Sequence, residues 1–122
     1  MWTYTLYMLD AFIRRRGKYS NIKFKFEDFS NFVFEDLWKN QKIVFHDTAK
    51  DLLKDVRYLG ELNLVQYNEN SNRISITDGQ YATIRKITVE LKNDPIRERV
   101  PLVATYINKI EASVPTRAPG RR

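Results

Sequence analysis

The side chains that most often carry out catalysis are scarce in this sequence of 122 residues. It contains no cysteine, and His46 is its only histidine, which we interpret as a residue at a helix start rather than a proton shuttle. The adjacent acids Glu27 and Asp28, like Glu35 and Asp36, point in different directions on a helix and are typical of solvent-facing charge. No glycine-rich phosphate loop and no carboxylate cluster with metal-ligand spacing is present. We therefore expect no enzymatic activity, no cofactor and no bound metal.

Clusters of positive charge offer a second kind of chemistry, the binding of polyanions. The formal net charge is +6 at pH 7. Residues 1–25 contain six lysines and arginines against one acid, and residues 113–122 contain three arginines and no acid. A basic balance of this kind is the electrostatic footprint of a nucleic-acid partner, although many proteins that bind no nucleic acid share it. Charge alone leaves both interpretations open.

Length and composition indicate one domain with a modest core, since 43% of the residues are hydrophobic. The lack of cysteine favours a reducing compartment, so we expect a cytoplasmic protein. The opening segment "MWTYTLYMLDAFIRRR" places its apolar stretch before its charges, the reverse of a signal peptide, and is too polar to span a bilayer. We interpret it as a helix of the fold and expect no membrane partner.

Hydrophobic spacing predicts three helices in the first half of the chain. Trp2, Leu6, Leu9 and Ile13 recur at the helical period and predict an amphipathic helix over residues 2–16. The segment "NIKFKF" alternates apolar and basic residues and fits either a short strand or an extended connector. A second helix is predicted from Asp28 to about Asn40, followed by "QKIVF", which fits either a strand or a packed loop. The third predicted helix is capped by Asp47 or Thr48, buries one stripe and ends at Asn63.

A β-hairpin is predicted to follow the third helix. Its strands are "LVQYN" and "RISIT", and "NENSN" between them supplies residues that tolerate a positive φ. Because a two-stranded ribbon is not stable alone, it must pack on the helices before it. A fourth helix is predicted from Asp78, which is placed to cap it, with an apolar face formed by Tyr81, Ile84, Ile87 and Leu91.

Three helices followed by a hairpin resemble the winged-helix DNA-binding domains of bacterial and archaeal transcription regulators. The segment "LLKDVRYLGELNLVQY…RISITDGQ" is similar to the family pattern of a leucine-rich recognition helix, a closing Gly or Asn, an apolar pair, the wing and a further helix start. The resemblance covers about residues 2–90. It implies a mainly α protein with a small β-hairpin, an α+β winged helix-turn-helix with additional C-terminal helices.

The resemblance further implies that the protein is a regulator of transcription whose partner is double-stranded DNA. Helix three would lie in the major groove, and the hairpin would be the wing that contacts the backbone or an adjacent groove. The DNA-binding residues implied are Thr48, Lys50, Lys54, Arg57 and Tyr58 on helix three, and Asn70, Asn72 and Arg73 on the wing.

Two features of helix three depart from the family pattern. Asp47, Asp51 and Asp55 offset most of the positive charge of its exposed face, as on a solvated helix with surface ion pairs. The connection "KNQKIVFHD" before this helix is long and lacks glycine. The alternative is therefore a winged-helix protein-interaction module in a larger assembly that does not read DNA.

The C-terminal segment has the most regular apolar spacing of the chain. Pro101 must either start a helix there or kink one that runs through it. The spacings of four and three residues are typical of a helical seam, which predicts a homodimer interface. The alternative is an intramolecular hairpin of helices four and five, or packing back on helix one. The predicted organisation is a winged-helix domain over 1–92 with its wing at about 64–78, a dimerisation segment over 93–114 and a flexible basic tail over 115–122. The seam residues are Ile96, Val100, Val103, Ile107, Ile110 and Val114.

Overall fold

A computed structural model of the chain describes residues 2–42, 44–94 and 101–114, with residues 101–103 described for their backbone only. The described part is mainly helical with a small antiparallel sheet, which agrees with the predicted α+β class. The helices are α1 (Trp2–Arg16), α2 (Phe26–Asn31), a π-helical segment π1 (Phe32–Asn40) that continues α2, α3 (Ala49–Glu61), α4 (Asp78–Asn93) and α5 (Pro101–Ala112). The strands are β1 (Ile22–Lys25), β2 (Gln66–Asn68) and β3 (Arg73–Ile76).

The sheet contains one strand more than the predicted hairpin. Its order is β1-β3-β2, and both pairings are antiparallel. The segment that fitted either a strand or a connector is therefore the edge strand β1, with Phe24 opposite Ile74 on the buried face. A third strand with one apolar face supplies the support that an isolated two-stranded ribbon lacks. The hairpin is thus paired, through β3, with a strand from the first half of the chain.

Helix α1 lies at the centre of the core. The predicted helix over residues 2–16 is confirmed, but all nine residues from Thr5 to Ile13 are buried, so α1 is not amphipathic along that stretch. The reason is that α3, α4 and α5 each contact α1, and a helix covered on several sides is buried all round. A central helix with a polar residue at Asp10 must satisfy that carboxylate internally.

Helix α3 follows its sequence signals closely. The side chain of Thr48 caps it by accepting a hydrogen bond of 3.2 Å from the backbone N–H of Asp51. Leu52, Val56 and Leu59 form the buried stripe. Asn63 follows with a φ of 61°, the left-handed conformation expected after a helix end.

The second predicted helix begins two residues earlier than expected, at Phe26, and changes its geometry. From Phe32 it becomes the π-helical segment π1, which ends at Asn40. The link to α3 contains no strand among its described residues, 41, 42 and 44–48, so "QKIVF" is not a strand there.

Helix α4 begins one residue away from the predicted cap. Thr77 and Gln80 form a capping box, in which each side chain accepts a hydrogen bond from the backbone N–H of the other residue, at 3.0 and 2.9 Å. Asp78 is consequently the first residue inside the helix rather than its cap. The buried residues of α4 are Ile84 and Thr88.

Helix α5 begins at Pro101, in agreement with one of the two predicted roles of that proline. Ile107 and Ile110 are 0% exposed within the single chain, where they join the same core as α1. For these two residues the structure shows the intramolecular alternative, because the chain itself covers the surface that a second copy would need. Ile96, Val100, the tail 115–122 and the side chain of Val103 lie outside the described residues.

Candidate nucleic-acid interface

A groove of about 760 Å³ separates the C-terminal half of α3 from the β-hairpin. Its existence follows from the fold, since α3 runs directly into β2 through the left-handed residue Asn63. Three of the residues predicted to bind DNA line it from the helix side. The lining residues that the two elements contribute are Lys54, Arg57, Tyr58, Gly60 and Glu61 from α3, and Gln66, Tyr67 and Glu69 from the hairpin.

An ion pair crosses this groove. Arg57 donates two hydrogen bonds to Glu69, from Nε to Oε2 at 2.8 Å and from Nη2 to Oε1 at 2.9 Å. The hydrogen bond from Arg57 lowers the pKa of the Glu69 carboxyl, and the same contact raises the pKa of Arg57. A planar guanidinium that binds two acceptors in parallel uses the geometry with which arginine binds guanine or phosphate. A polyanion that binds this Nε–Nη2 edge of Arg57 must therefore displace Glu69.

Tyr58 and Lys54 occupy the same face of α3. The ring of Tyr58 is 42% exposed and meets the ring of Trp2 edge to face, with centroids 6.2 Å apart. Lys54 is exposed and has no ion-pair partner among residues 2–42, 44–94 and 104–114. These two side chains are accessible to a ligand that enters the groove.

The other two α3 residues predicted to bind DNA lie apart from this groove. Lys50 lines a separate cleft of about 430 Å³ between α2 and α3, together with Asn72 of the hairpin. Thr48 is engaged as the cap of α3, so its side-chain oxygen already accepts a hydrogen bond. The predicted set is therefore divided between two faces of the helix.

Asp55 does not belong to the exposed face, contrary to the sequence interpretation. Its carboxylate turns inward, where Oδ2 accepts a 2.7 Å hydrogen bond from the hydroxyl of Thr5 and lies 2.8 Å from Nε2 of His46. The acids that remain exposed or half-buried near the start of α3 are Asp47 and Asp51. One of the three carboxylates expected to offset the cations of α3 is thus used in the core.

The contacts of Thr5, His46 and Asp55 serve packing rather than nucleophilic catalysis. In a catalytic triad the carboxylate and the hydroxyl bind opposite nitrogens of the imidazole. Here both approach the same nitrogen, Nε2, at 2.8 and 3.3 Å, and the hydroxyl of Thr5 is fully buried. The three side chains join α1, α3 and the link before α3. His46 is therefore a packed link residue, close to the predicted position at a helix start.

Asparagines shape the tip of the hairpin. The side-chain oxygen of Asn68 accepts hydrogen bonds from the backbone N–H groups of Asn70 and Ser71, at 2.9 and 3.1 Å. Asn72 adopts a φ of 55°, and its carbonyl accepts a 2.9 Å hydrogen bond from the N–H of Phe26. Asn72 therefore has a structural role in the turn, whereas the side chain of Asn70 is exposed to solvent.

Arg73, the third predicted wing residue, lies on the other side of the hairpin from the groove. The pairing register places it opposite Lys25 of β1 and Asn68 of β2, on the exposed face of the sheet. Arg73 does not line the groove between α3 and the hairpin. The structure separates it from Lys54, Arg57 and Tyr58.

A buried polar cluster connects α1, α4 and α5, and the sequence patterns did not indicate it. The carboxylate of Asp10 is 0% exposed and accepts hydrogen bonds from Arg14 at 3.1 Å, from the hydroxyl of Tyr81 at 3.0 Å and from Arg85. Arg14 in turn donates two hydrogen bonds to Glu111 of α5. The spacing of Asp10 and Arg14, four residues apart on α1, was the only local signal, because Tyr81 and Arg85 are 71 and 75 residues away from Asp10.

The pKa values in this cluster are shifted by its hydrogen bonds and burial. Burial alone would raise the pKa of Glu111, but hydrogen bonds from Arg14 and Tyr7, with the positive charges of Arg14 and Lys92, lower it to about 2. Burial, followed by the hydrogen bond to Glu111, raises the pKa of Tyr7. Burial and the negative charge of Asp10 likewise raise the pKa of Tyr81.

Acid should weaken the contact between α1 and α5. The pKa of Glu111 is about 2 in the folded chain and 4.5 as its ordinary value, so its stabilising effect is complete above pH 4.5 and is lost as the pH falls toward 2. Urea unfolding between pH 6 and pH 2.5 should show a loss of about 1 to 3 kcal/mol from this group. Glu111→Gln should remove that part of the pH dependence. An unchanged pH profile in the variant would contradict the assignment.

No helix in the described residues is long and apolar enough to cross a membrane, and residues 2–42, 44–94 and 104–114 contain no cluster of histidines and acids able to hold a metal ion. Features of the described residues that could engage a partner include the groove, the two smaller clefts beside α3 and the charged sheet face. Comparisons of the chain with protein-family models, with curated proteins and with solved structures found no match.

Proposed function

We propose that the protein is a winged-helix transcription regulator that binds duplex DNA with α3 and the β-hairpin. The observation that carries the proposal is the groove in which Lys54, Arg57 and Tyr58 of α3 face the hairpin. Lysine and arginine bind phosphates and guanine edges, and an exposed helix beside a β-ribbon can enter a major groove while the ribbon contacts the backbone. The order of three helices and an antiparallel hairpin supports the same proposal.

The ion pair between Arg57 and Glu69 gives this proposal its mechanism. In the free protein the carboxylate of Glu69 accepts hydrogen bonds from Nε and Nη2 of Arg57 and links the hairpin to α3. When DNA enters the groove, a guanine edge or a phosphate replaces Glu69 as the acceptor. Glu69 then reduces affinity for DNA that offers Arg57 no good acceptor, because the ion pair is broken without replacement.

The groove variants give a direct test. Arg57→Ala and Lys54→Ala should each weaken binding to a preferred duplex about tenfold or more where they reach a base edge. Glu69→Gln should tighten binding, because Arg57 no longer has an ionic competitor. The matched control is Glu61→Gln, which removes the same charge from the same groove without a contact to Arg57. Fluorescence anisotropy at several salt concentrations is the measurement, and equal effects of the two glutamine variants would contradict the mechanism.

The alternative function is a winged-helix protein-interaction module in a larger assembly. A cleft of about 420 Å³ between π1 and the start of α3 favours it, since the cleft is lined by Phe34 and Trp38, and Trp38 is 41% exposed. A salt titration of duplex binding separates the two functions. A steep fall in affinity with salt supports DNA binding, whereas no binding at low salt supports the interaction module.

A further inference from the structure

The outer face of the sheet carries positive charge without any acid. Strand pairing aligns its exposed positions in two rows across the three strands, and the alternate positions of β1 and β3 point into the core. Of the six side chains on this face, three are cations, three are neutral and polar, and none is aromatic. The first row is Lys25, Arg73 and Asn68, and the second row is Lys23, Ser75 and Gln66.

The cations of this face have no internal counter-charge. Lys23, Lys25 and Arg73 are exposed, and none has an ion-pair partner among residues 2–42, 44–94 and 104–114. Arg16 and Lys18 lie beside Lys23 in a small cleft at the edge of β1, which extends the positive surface around the strand. By contrast, the groove beside α3 holds Lys54 and Arg57 together with Glu61 and Glu69. The acid-free sheet face is the better complement to a polyanion.

Edge protection explains only part of this charge. Lysines on an exposed edge strand such as β1 prevent pairing with other chains. Arg73, however, lies on the central strand β3 and directly opposite Lys25, where two like charges destabilise the sheet. An anion bound between the two side chains would relieve that repulsion. The arrangement is therefore one that a bound phosphate stabilises.

We propose that the outer face of the sheet is a second surface for nucleic-acid phosphates, separate from the groove beside α3. Because the six side chains include no aromatic ring on which a base could stack, the face is suited to the phosphates of a duplex rather than to the bases of a single strand. The surface and the groove meet at Gln66, which belongs to the face and also lines the groove. A duplex bound in the groove can thus extend past the edge of β2 and contact the outer face of the sheet. The choice of duplex DNA as ligand rests on the proposed function.

The test measures how binding to a random-sequence duplex depends on salt. The variant Lys23→Gln, Lys25→Gln, Arg73→Gln removes the three cations of the face. The matched control Lys39→Gln, Lys42→Gln, Lys86→Gln removes three exposed cations that lie on neither surface. Each phosphate that the protein no longer neutralises lowers the slope of log affinity against log salt by about 0.9, so the face variant should lower it by about 2 to 3. The control should lower the slope by less than about 1.

Each outcome decides the inference. Equal slopes in the face variant and the control would overturn the inference, since net charge alone would then explain binding. The inference is also overturned if the unmodified protein binds no duplex at low salt. If polyglutamate competes as well as DNA at equal charge, the nucleic-acid assignment is overturned. Arg57→Ala, measured in parallel on a preferred duplex, reports on the groove. If the face variant binds random duplex more weakly and Arg57→Ala binds the preferred duplex unchanged, the proposed function is contradicted and this inference is kept. The double variant Lys23→Gln, Lys25→Gln repeats the test if circular dichroism shows that the triple variant is unfolded.

Discussion

Replacing Asp10 with alanine is expected to lower the free energy of unfolding by about 3 to 5 kcal/mol. The carboxylate is 0% exposed and accepts hydrogen bonds from Arg14, Tyr81 and Arg85. Without it, Tyr81 and Arg85 lose this acceptor and Arg14 keeps only Glu111. A buried donor that loses its acceptor carries a penalty larger than the value of the hydrogen bond itself. Urea unfolding followed by circular dichroism measures the effect.

An exposed ion pair provides the control for this experiment. Asp36 bonds to Arg15 at the surface, where the arginine side chain is 40% exposed. Asp36→Ala should therefore change the free energy of unfolding by less than about 1 kcal/mol. If Asp10→Ala were as mild as Asp36→Ala, the cluster that joins α1 to α4 would contribute little to the fold.

The second large effect is expected in α5. Ile107→Ala and Ile110→Ala should each lower the free energy of unfolding by about 2 to 5 kcal/mol, because both side chains are fully buried and truncation leaves a cavity. Val89→Ala on α4 is the control, since Val89 is 41% exposed and its truncation should change stability by about 0.5 kcal/mol or less. Chemical denaturation of the three variants gives the comparison.

The same isoleucine variants bear on the homodimer, which stays a prediction. If α5 packs within the chain, the variants lose stability at every protein concentration, and sedimentation shows the same mass as the unmodified protein. If the seam joins two copies, the variants instead change from dimer to monomer in sedimentation and keep the unfolding energy of the monomer. A dimer of the unmodified protein that survives both substitutions would place its interface elsewhere.

The sequence predicted the start and end of α3, which depend on interactions between residues close together in the chain. Thr48 caps α3 and Asn63 follows its end, as expected, because both signals depend on backbone geometry within a few residues. The sequence did not decide whether the segment of β1 is a strand or a connector, since its pairing partner β3 lies about fifty residues further along the chain. The full burial of α1 was not predicted, because it depends on how many other helices surround it.

The candidate site was predicted in part for the same reason. The winged-helix resemblance implied Thr48, Lys50, Lys54, Arg57 and Tyr58 on α3. The structure brings the last three together in the groove and places Thr48 and Lys50 apart from it. Sequence spacing did not predict that Glu69 would bind Arg57, since the turn geometry between them decides that contact. It also did not predict the inward turn of Asp55, which depends on the position of Thr5 fifty residues earlier.

The wide turn of the π-helical segment π1 suits a sequence in which buried apolar residues are spaced five apart. Phe32 and Leu37, five residues apart, are both buried. In an α-helix the residue stacked over Phe32 would be the acid Asp36, four residues on, whereas a hydrogen bond to the fifth residue widens the turn and stacks Leu37 there instead. The segment therefore has the form of an α-helix that has accommodated one inserted residue. Homologous chains that are one residue shorter between Phe32 and Leu37 are expected to have a regular α-helix with the same apolar side facing the core.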